Sequence, residues 1–498
     1  MSARFLAFDL GAESGRAMSA QLRAGVLELS EVCRFANEPV RVDGSLYWDA
    51  PQLWLHVEQA LDQAAAGAAR YESIGVDAWG CDYGLLGEHG ELVGNPYHYR
   101  DARTDGVMED VFTRVPRARI YDVTGIQFLT FNTLFQLVAA SRHTPRLLEA
   151  AIQLGTIPDI LNYWLTGEWR AEYTSATTTQ MIDARRREWA LDLLRELDLP
   201  LRLLPPLVEP GSQLGTLKRS VCAALAGTPI VAPACHDTGS AVASVPAHDG
   251  RAFLSSGTWS LLGTEIGRPV ITPGALDGNF TNEGGVGGTT RLLKNIAGLW
   301  LLQACRRDWA RAGRRYDYDE LMREAADDRF AFRSLFDPDD PGFFHPSDMP
   351  AAIAASCRRT AQPEPDSAGA FARAVLESLA FKYRVVLDAL EDLTGTPIRE
   401  VQIVGGGSRN TLLNQFTADA TGRSVIAGPV EATALGNIAM QMVATGAVSD
   451  IAEARRLIER SFPVQRFEPA AADRWNRHYR RFQDYVEPTH GHKRMTTE

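Results

Sequence analysis

Apolar and polar residues alternate over short runs at the start of the chain. Residues 4–10 form a strand-like run, residues 11–15 are small and polar, and residues 16–22 alternate again. This period of two around a small turn predicts two paired strands joined by a hairpin. Further strands are predicted at residues 26–35, 73–77, 83–86 and 400–404.

Longer segments carry apolar residues at helical spacing. Phe371, Val375 and Leu379 start a stripe with intervals of three and four residues, and Gly395 followed by Pro397 is typical of a helix end. Helices are predicted at residues 49–65, 134–151, 159–165, 371–393 and 433–443. Strands that alternate with helices in this way predict an α/β protein.

A second hairpin pattern occurs near the middle of the chain. Residues 251–263 read strand, small polar turn and strand, like residues 4–22. The likeness indicates either an internal duplication or two unrelated hairpins. Just before it, residues 229–235 predict a short buried strand that ends in a polar loop, His236-Asp237-Thr238.

Size and charge limit the class of protein. A chain of 498 residues is too long for one core, so two domains are expected. The net charge of −11 argues against nucleic acid or an anionic membrane as the main partner. We see no targeting segment or transmembrane run, and the six cysteines have no CxxC spacing, which predicts reduced thiols in the cytoplasm.

The first hairpin has the chemistry of a phosphate site. Gly11 and Gly15 let backbone N–H groups approach a ligand, and Ser14 adds a hydroxyl. Asp9, at the strand end, suits Mg²⁺ bound through water, because Mg²⁺ keeps much of its hydration. An ordinary hairpin with a solvated aspartate is the alternative. Neither a P-loop nor a Rossmann glycine pattern is present here.

Two other small-residue turns could share that role. Residues 255–258 repeat hydroxyls around one glycine, and two such hairpins facing each other would hold a polyphosphate from both sides. Residues 405–407 are three glycines after a strand, where a nucleotide could lie against bare backbone or where the chain only turns.

Polar residues that directly follow predicted strands indicate a candidate sugar-binding site. Ligands of α/β sheets bind beyond the carboxyl ends of strands, so Asp237 could accept a proton from an attacking hydroxyl. An Asx turn with a surface histidine is the simpler interpretation. Residues 77–82 offer Trp79 as a flat face or as core, and Arg100 with Asp101 forms either a site element or a structural ion pair.

These motifs, in this order, resemble the FGGY carbohydrate kinases. Longer shared stretches cover nearly the whole chain, and they include residues 124–129, 131–134, 157–159, 172–180, 254–261, 281–285, 293–296, 298–303, 403–407 and 426–431. The resemblance implies two actin-like, ribonuclease H-like α/β domains with a central cleft. Residues 1–245 would mainly bind the sugar, residues 246–489 would mainly bind ATP, and residues 490–498 would be a disordered tail.

The resemblance also implies residue roles. ATP-binding positions are Ala12, Glu13, Ser14, Gly15, Arg16, Thr258, Gln303 and Gly406. Sugar-binding positions are Gly80, His236, Asp237, Thr238 and Asn295, with Asp237 as the proton acceptor. Ala12 departs from the Thr or Ser that many relatives carry, and Glu13 puts a negative charge beside an anionic ligand, so Glu13 must point away or bind metal.

The expected reaction follows from the same resemblance. The longest stretches are similar to family members that use Mg-ATP to phosphorylate a six-carbon deoxyketose, L-rhamnulose, at its 1-hydroxyl in L-rhamnose catabolism. Alternatives are another sugar, such as fuculose, xylulose or glycerol, and an actin-like or heat-shock-type ATPase. No obligate protein partner is evident from the sequence.

Overall fold

The computed structural model describes residues 3–486, apart from residues 68–69, 247–249 and 345. The tail expected at residues 490–498 lies outside the described residues. The strands are β1 Ala3–Leu10, β2 Ser14–Arg23, β3 Val26–Ala36, β4 Val40–Val42, β5 Ser45–Tyr47, β6 Ser73–Ala78, β7 Tyr83–Leu86, β8 Gln153–Thr156, β9 Ala171–Glu172, β10 Ile182–Asp183, β11 Glu188–Trp189, β12 Leu207–Val208, β13 Gln213–Thr216, β14 Pro229–Val231, β15 Arg251–Ser256, β16 Trp259–Ile266, β17 Thr281–Gly284, β18 Thr290–Ala297, β19 Glu400–Val404, β20 Ser424–Ala427 and β21 Gln465–Phe467.

The helices fall between and after these strands. They are α1 Ala50–Gly67, α2 Val107–Arg114, α3 Arg117–Thr124, α4 Thr133–His143, α5 Pro145–Ala150, α6 Ile157–Thr166, α7 Tyr173–Thr178, α8 Leu191–Glu196, α9 Asp237–Ala243, α10 Pro273–Asp277, α11 Trp300–Arg311, α12 Tyr318–Ala325, α13 Met349–Arg359, α14 Ala368–Thr394, α15 Thr411–Thr421, α16 Ala432–Ala444, α17 Ile451–Ser461 and α18 Ala472–Gln483. Short 3₁₀ helices cover Ala102–Thr104, Leu201–Leu203, Val286–Gly288, Asp328–Phe330, Pro341–Phe343 and Gly406–Arg409. None of the described helices is both long and apolar enough to cross a membrane.

Two mixed sheets organise the chain, and their strand orders correspond. The first sheet has the order β3-β2-β1-β6-β14-β13, and the second has β18-β16-β15-β19-β20-β21 with β17 added beside β18. In both, three antiparallel strands are followed by two parallel ones and an antiparallel edge. The expected fold class is therefore confirmed, and the two hairpin patterns occupy equivalent places in the two sheets.

Two helices cross between these sheets at very short range. The crossing brings Gly436 of α16 so close to α9 that a methyl carbon added there would lie 1.7 Å from the Ser240 carbonyl oxygen. Amide side chains of α16 also bond to the first sheet, since Asn437 donates to Asp77 at 2.6 Å and Gln441 donates to the Leu6 carbonyl at 3.0 Å. Helix α16 is thus fixed to both α9 and the first sheet.

Late helices complete the core of the first sheet. Leu435 and Ile438 of α16, with Leu457 of α17, pack in one cluster with Phe5 and Ala7 of β1. The division at residue 245 stays a prediction, and the segment that contains α16 and α17 contributes to the core of the earlier sheet.

Three sequence expectations need correction. The strand predicted over residues 229–235 ends at Val231, because the following residues leave the sheet. The loop expected at residues 236–238 is instead the start of α9, with His236 as its N-cap. The helix predicted over residues 134–151 is interrupted at Thr144, because Pro145 starts a new helix.

We expect Gly436→Ala to lower the free energy of unfolding by about 3 kcal/mol or more, the upper end of the range typical of overpacking. The added methyl would collide with the Ser240 backbone, which cannot rotate away as a side chain can. Chemical denaturation measures the loss. Gly67→Ala is the matched control, since Gly67 also lies in a helix and an added methyl would meet open space. Equal stability of the two variants would show that α9 and α16 separate easily.

Candidate active site

A cavity of about 650 Å³ lies between the two hairpins and the start of α9. Most of the predicted site residues line it: Asp9, Ala12, Glu13, Ser14, Arg16, Gly80, His236, Asp237, Thr238, Thr258, Asn295 and Gly406. The fold thus brings together residues that are up to about 400 positions apart in the sequence (9 to 406).

Two predicted residues lie outside the cavity lining. Gly15 is buried in β2, and a side chain there would overlap the Phe35 ring, with the added carbon 2.3 Å from it. Gln303 lies in α11, and its buried side-chain oxygen accepts no hydrogen bond from the described residues. Packing accounts for Gly15 without a ligand, whereas the free oxygen of Gln303 has no explanation in the protein alone.

An ion-pair chain crosses the base of the cavity. Arg16 donates from Nε and Nη2 to Oδ2 of Asp9, at 2.9 and 2.6 Å, and its Nη1 contacts Glu431. Burial lowers the pKa of Arg16, but Asp9 and Glu431 raise it further, so its pKa lies above the ordinary value. Glu431 is the N-cap of α16, so these ion pairs connect the first hairpin to that helix.

Glu13 lies at the edge of the cavity. Its side chain is exposed at the cavity rim. Burial lowers the pKa of Arg307 in α11, and the negative charge of Glu13 opposes that shift. Glu13 therefore faces a cation of the opposite domain.

Two positions of the triple glycine, Gly405 and Gly406, line the cavity. A methyl at Gly407 would lie 2.0 Å from Ser256 Oγ, so packing against the second hairpin excludes a side chain there. Gly405 has a φ of +81°, a backbone conformation that favours glycine. Gly406 has open space where a side chain would be, and it lines the cavity, as expected where a ligand approaches bare backbone.

Carboxylates cluster around the candidate base. Asp77 lies opposite Asp9 in the parallel pairing of β6 and β1. Burial, followed by the charge of Asp9, raises the pKa of Asp77 well above its ordinary value. Burial also raises the pKa of Asp237, His236 lowers it, and Asp9 raises it again. Asp237 still exposes 30% of its side chain, so it is available to a ligand.

The His236 ring is surrounded by charged groups that sequence reasoning missed. Nε2 lies 3.3 Å from Asp237 Oδ1, and Nδ1 lies 3.3 Å from Glu283 Oε2 and 3.2 Å from Arg291 Nη2. Burial raises the pKa of Glu283, but Arg291 and His236 outweigh it and hold that pKa below its usual range. Glu283 and Arg291 could have been found from the sequence as charged residues within strands whose other positions are mostly buried.

The remaining sugar-binding candidates are held by neighbours. Gln127 makes three hydrogen bonds to Asn295: its Oε1 accepts from the backbone N at 2.8 Å and from the side-chain nitrogen at 3.1 Å, and its Nε2 donates to the backbone carbonyl at 3.2 Å. A methyl at Gly80 would lie 3.1 Å from Thr178, which leaves little room for a larger residue. Gln127 belongs to a stretch that resembled the family, but it had been given no role.

Aromatic rings form one wall of the cavity, and their contacts connect the domain of the first sheet to the domain of the second. Phe131 lies 5.4 Å from Tyr99 and 5.8 Å from Trp259, measured between ring centroids. Phe344 stacks on Phe131 at 5.9 Å. Because Trp259 belongs to β16 and Phe131 precedes α4, this aromatic wall spans the cleft.

Arg100 and Asp101 do not pair with each other, so the ion-pair interpretation was wrong. The Arg100 guanidinium lies 3.9 Å from the centroid of the Trp300 ring and donates to the Phe344 carbonyl. Asp101 accepts from backbone N–H groups of Leu46 and Arg103. Arg100 therefore contacts the second domain, and Asp101 stabilises local backbone.

Asp82 is a buried acceptor. Its Oδ2 accepts from the indole nitrogens of Trp48 and Trp79, at 2.6 and 3.0 Å, and its Oδ1 accepts from Gln136. Burial raises the pKa of Asp82 to about 6. Trp79 thus lines the cavity while its indole N–H is fixed from behind.

Comparisons with known proteins agree with this architecture. Family models for the N-terminal and C-terminal domains of FGGY carbohydrate kinases match residues 4–243 and 252–445. The chain therefore belongs to the FGGY family of carbohydrate kinases, which implies that it uses ATP.

Particular relatives narrow the comparison. Proteins named rhamnulokinase from Bacteroides thetaiotaomicron and Pectobacterium carotovorum are each 45% identical to this chain, over 98% and 97% of it and 100% and 96% of their own lengths. Among solved structures, gluconate kinase from Lactobacillus acidophilus has a TM-score of 0.80 at 15% identity and covers 97% of both chains. Glycerol kinase from Plasmodium falciparum with ADP has a TM-score of 0.77 at 15% identity, over 98% of this chain and 99% of that one.

We expect Asp82→Asn to destabilise the fold by about 1–3 kcal/mol, because the amide has one accepting oxygen and its NH₂ group must face either the indole donors or the Gln136 donor. The folded-state pKa of about 6 exceeds the unfolded value near 3.9, so the native state binds this proton more tightly. The stability that this proton contributes is lost as pH rises through 6. The difference in the free energy of unfolding between wild type and Asp82→Asn should therefore decrease from pH 4 to pH 7 in urea titrations. An increase in that difference would contradict the assignment.

Proposed function

We propose that this protein transfers the γ-phosphoryl group of ATP to the 1-hydroxyl of L-rhamnulose, giving L-rhamnulose 1-phosphate and ADP. The observation that carries the proposal is the position of Asp237, at the first turn of a helix and inside a cavity bounded by two small-residue hairpins. The near full-length similarity to proteins named rhamnulokinase supports this choice of sugar.

The geometry suits phosphoryl transfer to an alcohol. Backbone N–H groups and hydroxyls of the two hairpins would hold the phosphates, and positioning with charge stabilisation supplies most of the catalysis in such reactions. As the sugar oxygen bonds to phosphorus and the bond from phosphorus to ADP breaks, Asp237 would take the hydroxyl proton. A partly exposed carboxylate that keeps its charge with help from His236 is suited to that role.

Mg²⁺ fits the residues present, with Asp9 as its protein contact. No group of three or more His, Cys, Asp or Glu side chains in the described ranges forms a metal cage. Mg²⁺ is usually held chiefly by phosphates and water, with few protein ligands. Arg16 bonds to only one oxygen of Asp9, Oδ2. When bound, the ion would neutralise charge on the phosphates.

The sugar would lie between His236, Thr238 and Asn295 on one side and the aromatic wall on the other. Polar groups there can bond to hydroxyls, and ring faces can contact the apolar end of a deoxy sugar. Other sugars of the family, fuculose, xylulose and glycerol, remain alternatives. An actin-like or heat-shock-type ATPase is disfavoured because the polar residues at the start of α9 suit a small alcohol.

We further propose that the protein works in the cytoplasm on small molecules alone. All six cysteines are unpaired in the structure, and four of them are buried. The acidic net charge of −11 gives no general attraction for nucleic acid.

A sugar panel tests the substrate. ADP release would be measured by a coupled assay with L-rhamnulose, L-fuculose, D-xylulose, glycerol and no sugar. We expect the highest kcat/KM with L-rhamnulose, because the aromatic wall favours an apolar terminus. Higher kcat/KM with another sugar would change the substrate, and ATP turnover indifferent to every sugar would favour the ATPase alternative.

We expect Asp237→Asn to bind ATP and sugar nearly normally and to lose kcat by roughly 10²–10⁴-fold, the usual contribution of a positioned base. Calorimetry measures binding, and steady-state kinetics measures turnover. Asp82→Asn is the matched control, since it removes a nearby carboxylate that accepts only from protein groups and does not line the cavity. If Asp237→Asn lost less than about tenfold, another group or water would take the proton.

Asp9→Asn tests the metal contact. We expect turnover to fall and the Mg²⁺ concentration for half-maximal activity to rise, while sugar affinity changes little, because Asp9 would contact the hydrated ion and Arg16 but not the sugar. A magnesium titration at saturating ATP measures this. Loss of sugar affinity with an unchanged magnesium requirement would show that Asp9 binds sugar instead.

A further inference from the structure

Arg291 lies in the buried layer behind the candidate base. It belongs to β18, its side chain is wholly buried, and its Nε donates to the Gly284 carbonyl at 2.8 Å. Its Nη2 lies 3.1 Å from Glu283 Oε2 and 3.2 Å from His236 Nδ1. The position beneath α9 is close-packed, since a methyl added at Gly239 would lie 3.5 Å from the same nitrogen.

The contact at Nδ1 determines where the imidazole carries its proton. A guanidinium has only donors, whereas a neutral imidazole has one N–H and one lone pair. A hydrogen bond from Arg291 would require the lone pair on Nδ1 and would place the proton on Nε2. Glu283 Oε2 is also near Nδ1, but it accepts no hydrogen bond of suitable geometry from any residue in the described ranges.

The opposite side of the ring faces the base. His236 Nε2 lies 3.3 Å from Asp237 Oδ1, so a proton on Nε2 attracts the carboxylate, whereas a lone pair there would repel it. We propose that Arg291 is a positioning residue, which holds His236 as the Nε2–H tautomer so that the ring presents a donor to Asp237 and to substrate oxygens beside it.

This inference rests on the proposed kinase reaction only where it gives Asp237 the role of base. With Nε2–H in place, the Asp237 carboxylate is stabilised as an anion before the sugar arrives, and the ring cannot compete for the hydroxyl proton through Nε2. The tautomer itself is a property of the protein without substrate, so it can be measured even if the sugar is not L-rhamnulose.

The first measurement uses the wild-type, full-length protein labelled with ¹⁵N-histidine. Long-range ¹H–¹⁵N spectra distinguish the two ring nitrogens, and a His236→Gln sample identifies the His236 signals among the ten histidines. We expect Nε2 to be protonated and Nδ1 to be an acceptor. A proton on Nδ1, in a neutral or a charged ring, would overturn the proposal.

The second measurement removes the donor. In Arg291→Met/Glu283→Leu, apolar side chains replace the buried pair and leave no unpaired charge. We expect a mixture of tautomers, and we expect kcat to fall about 10-fold, less than the loss of the base itself, with the KM for ATP unchanged. Glu283→Gln is the control, because it keeps Arg291 and should keep the Nε2–H tautomer.

The outcomes separate cleanly. A folded double variant with wild-type tautomer and kcat would overturn the role of Arg291, and so would a Glu283→Gln variant that switches tautomer while Arg291 remains. If the double variant does not fold, the wild-type and Glu283→Gln spectra still decide the assignment. A confirmed tautomer in a protein that phosphorylates no sugar would overturn the proposed function and support the inference.

Discussion

The crossing of α9 and α16 is the contact on which the geometry of the cleft depends. Helix α9 presents Asp237 at its first turn, and α16 begins just after Glu431, the partner of Arg16. The two helices meet where Gly436 touches the Ser240 backbone. Backbone contact has no side chain that can rotate away, so the spacing between the base and the phosphate hairpins is set by the absence of one methyl group.

Charge balance in the cleft explains why so many buried ions are compatible with the fold. Asp9, Asp77 and Asp237 repel one another, and burial adds to the cost of the charges on Asp77 and Asp237. Arg16 and His236 offset part of that cost from different sides. Magnesium and phosphates would alter this balance further, which makes ligand binding and the ionisation of the site interdependent.

Local patterns predicted the hairpins, the long helix that ends at Gly395 and the family, because each depends on neighbouring residues. The sequence did not reveal the roles of Glu283 and Arg291, since they meet only through the pairing of β17 with β18, and His236 reaches them from the start of α9. It also misplaced the end of the strand at Val231, because burial continues after the ladder stops. Local sequence patterns could not predict contacts between residues that are far apart in the chain.

The packing of α16 and α17 on β1 has a consequence for synthesis on the ribosome. The first sheet cannot complete its core until residues 432–461 have left the exit tunnel, although β1 emerges at the start of translation. At about 5–20 residues per second, the exposed apolar face of β1 waits tens of seconds for its covering helices. Chaperone binding to the nascent chain should therefore persist until very late, and premature termination within α16 would leave the earlier sheet open to aggregation.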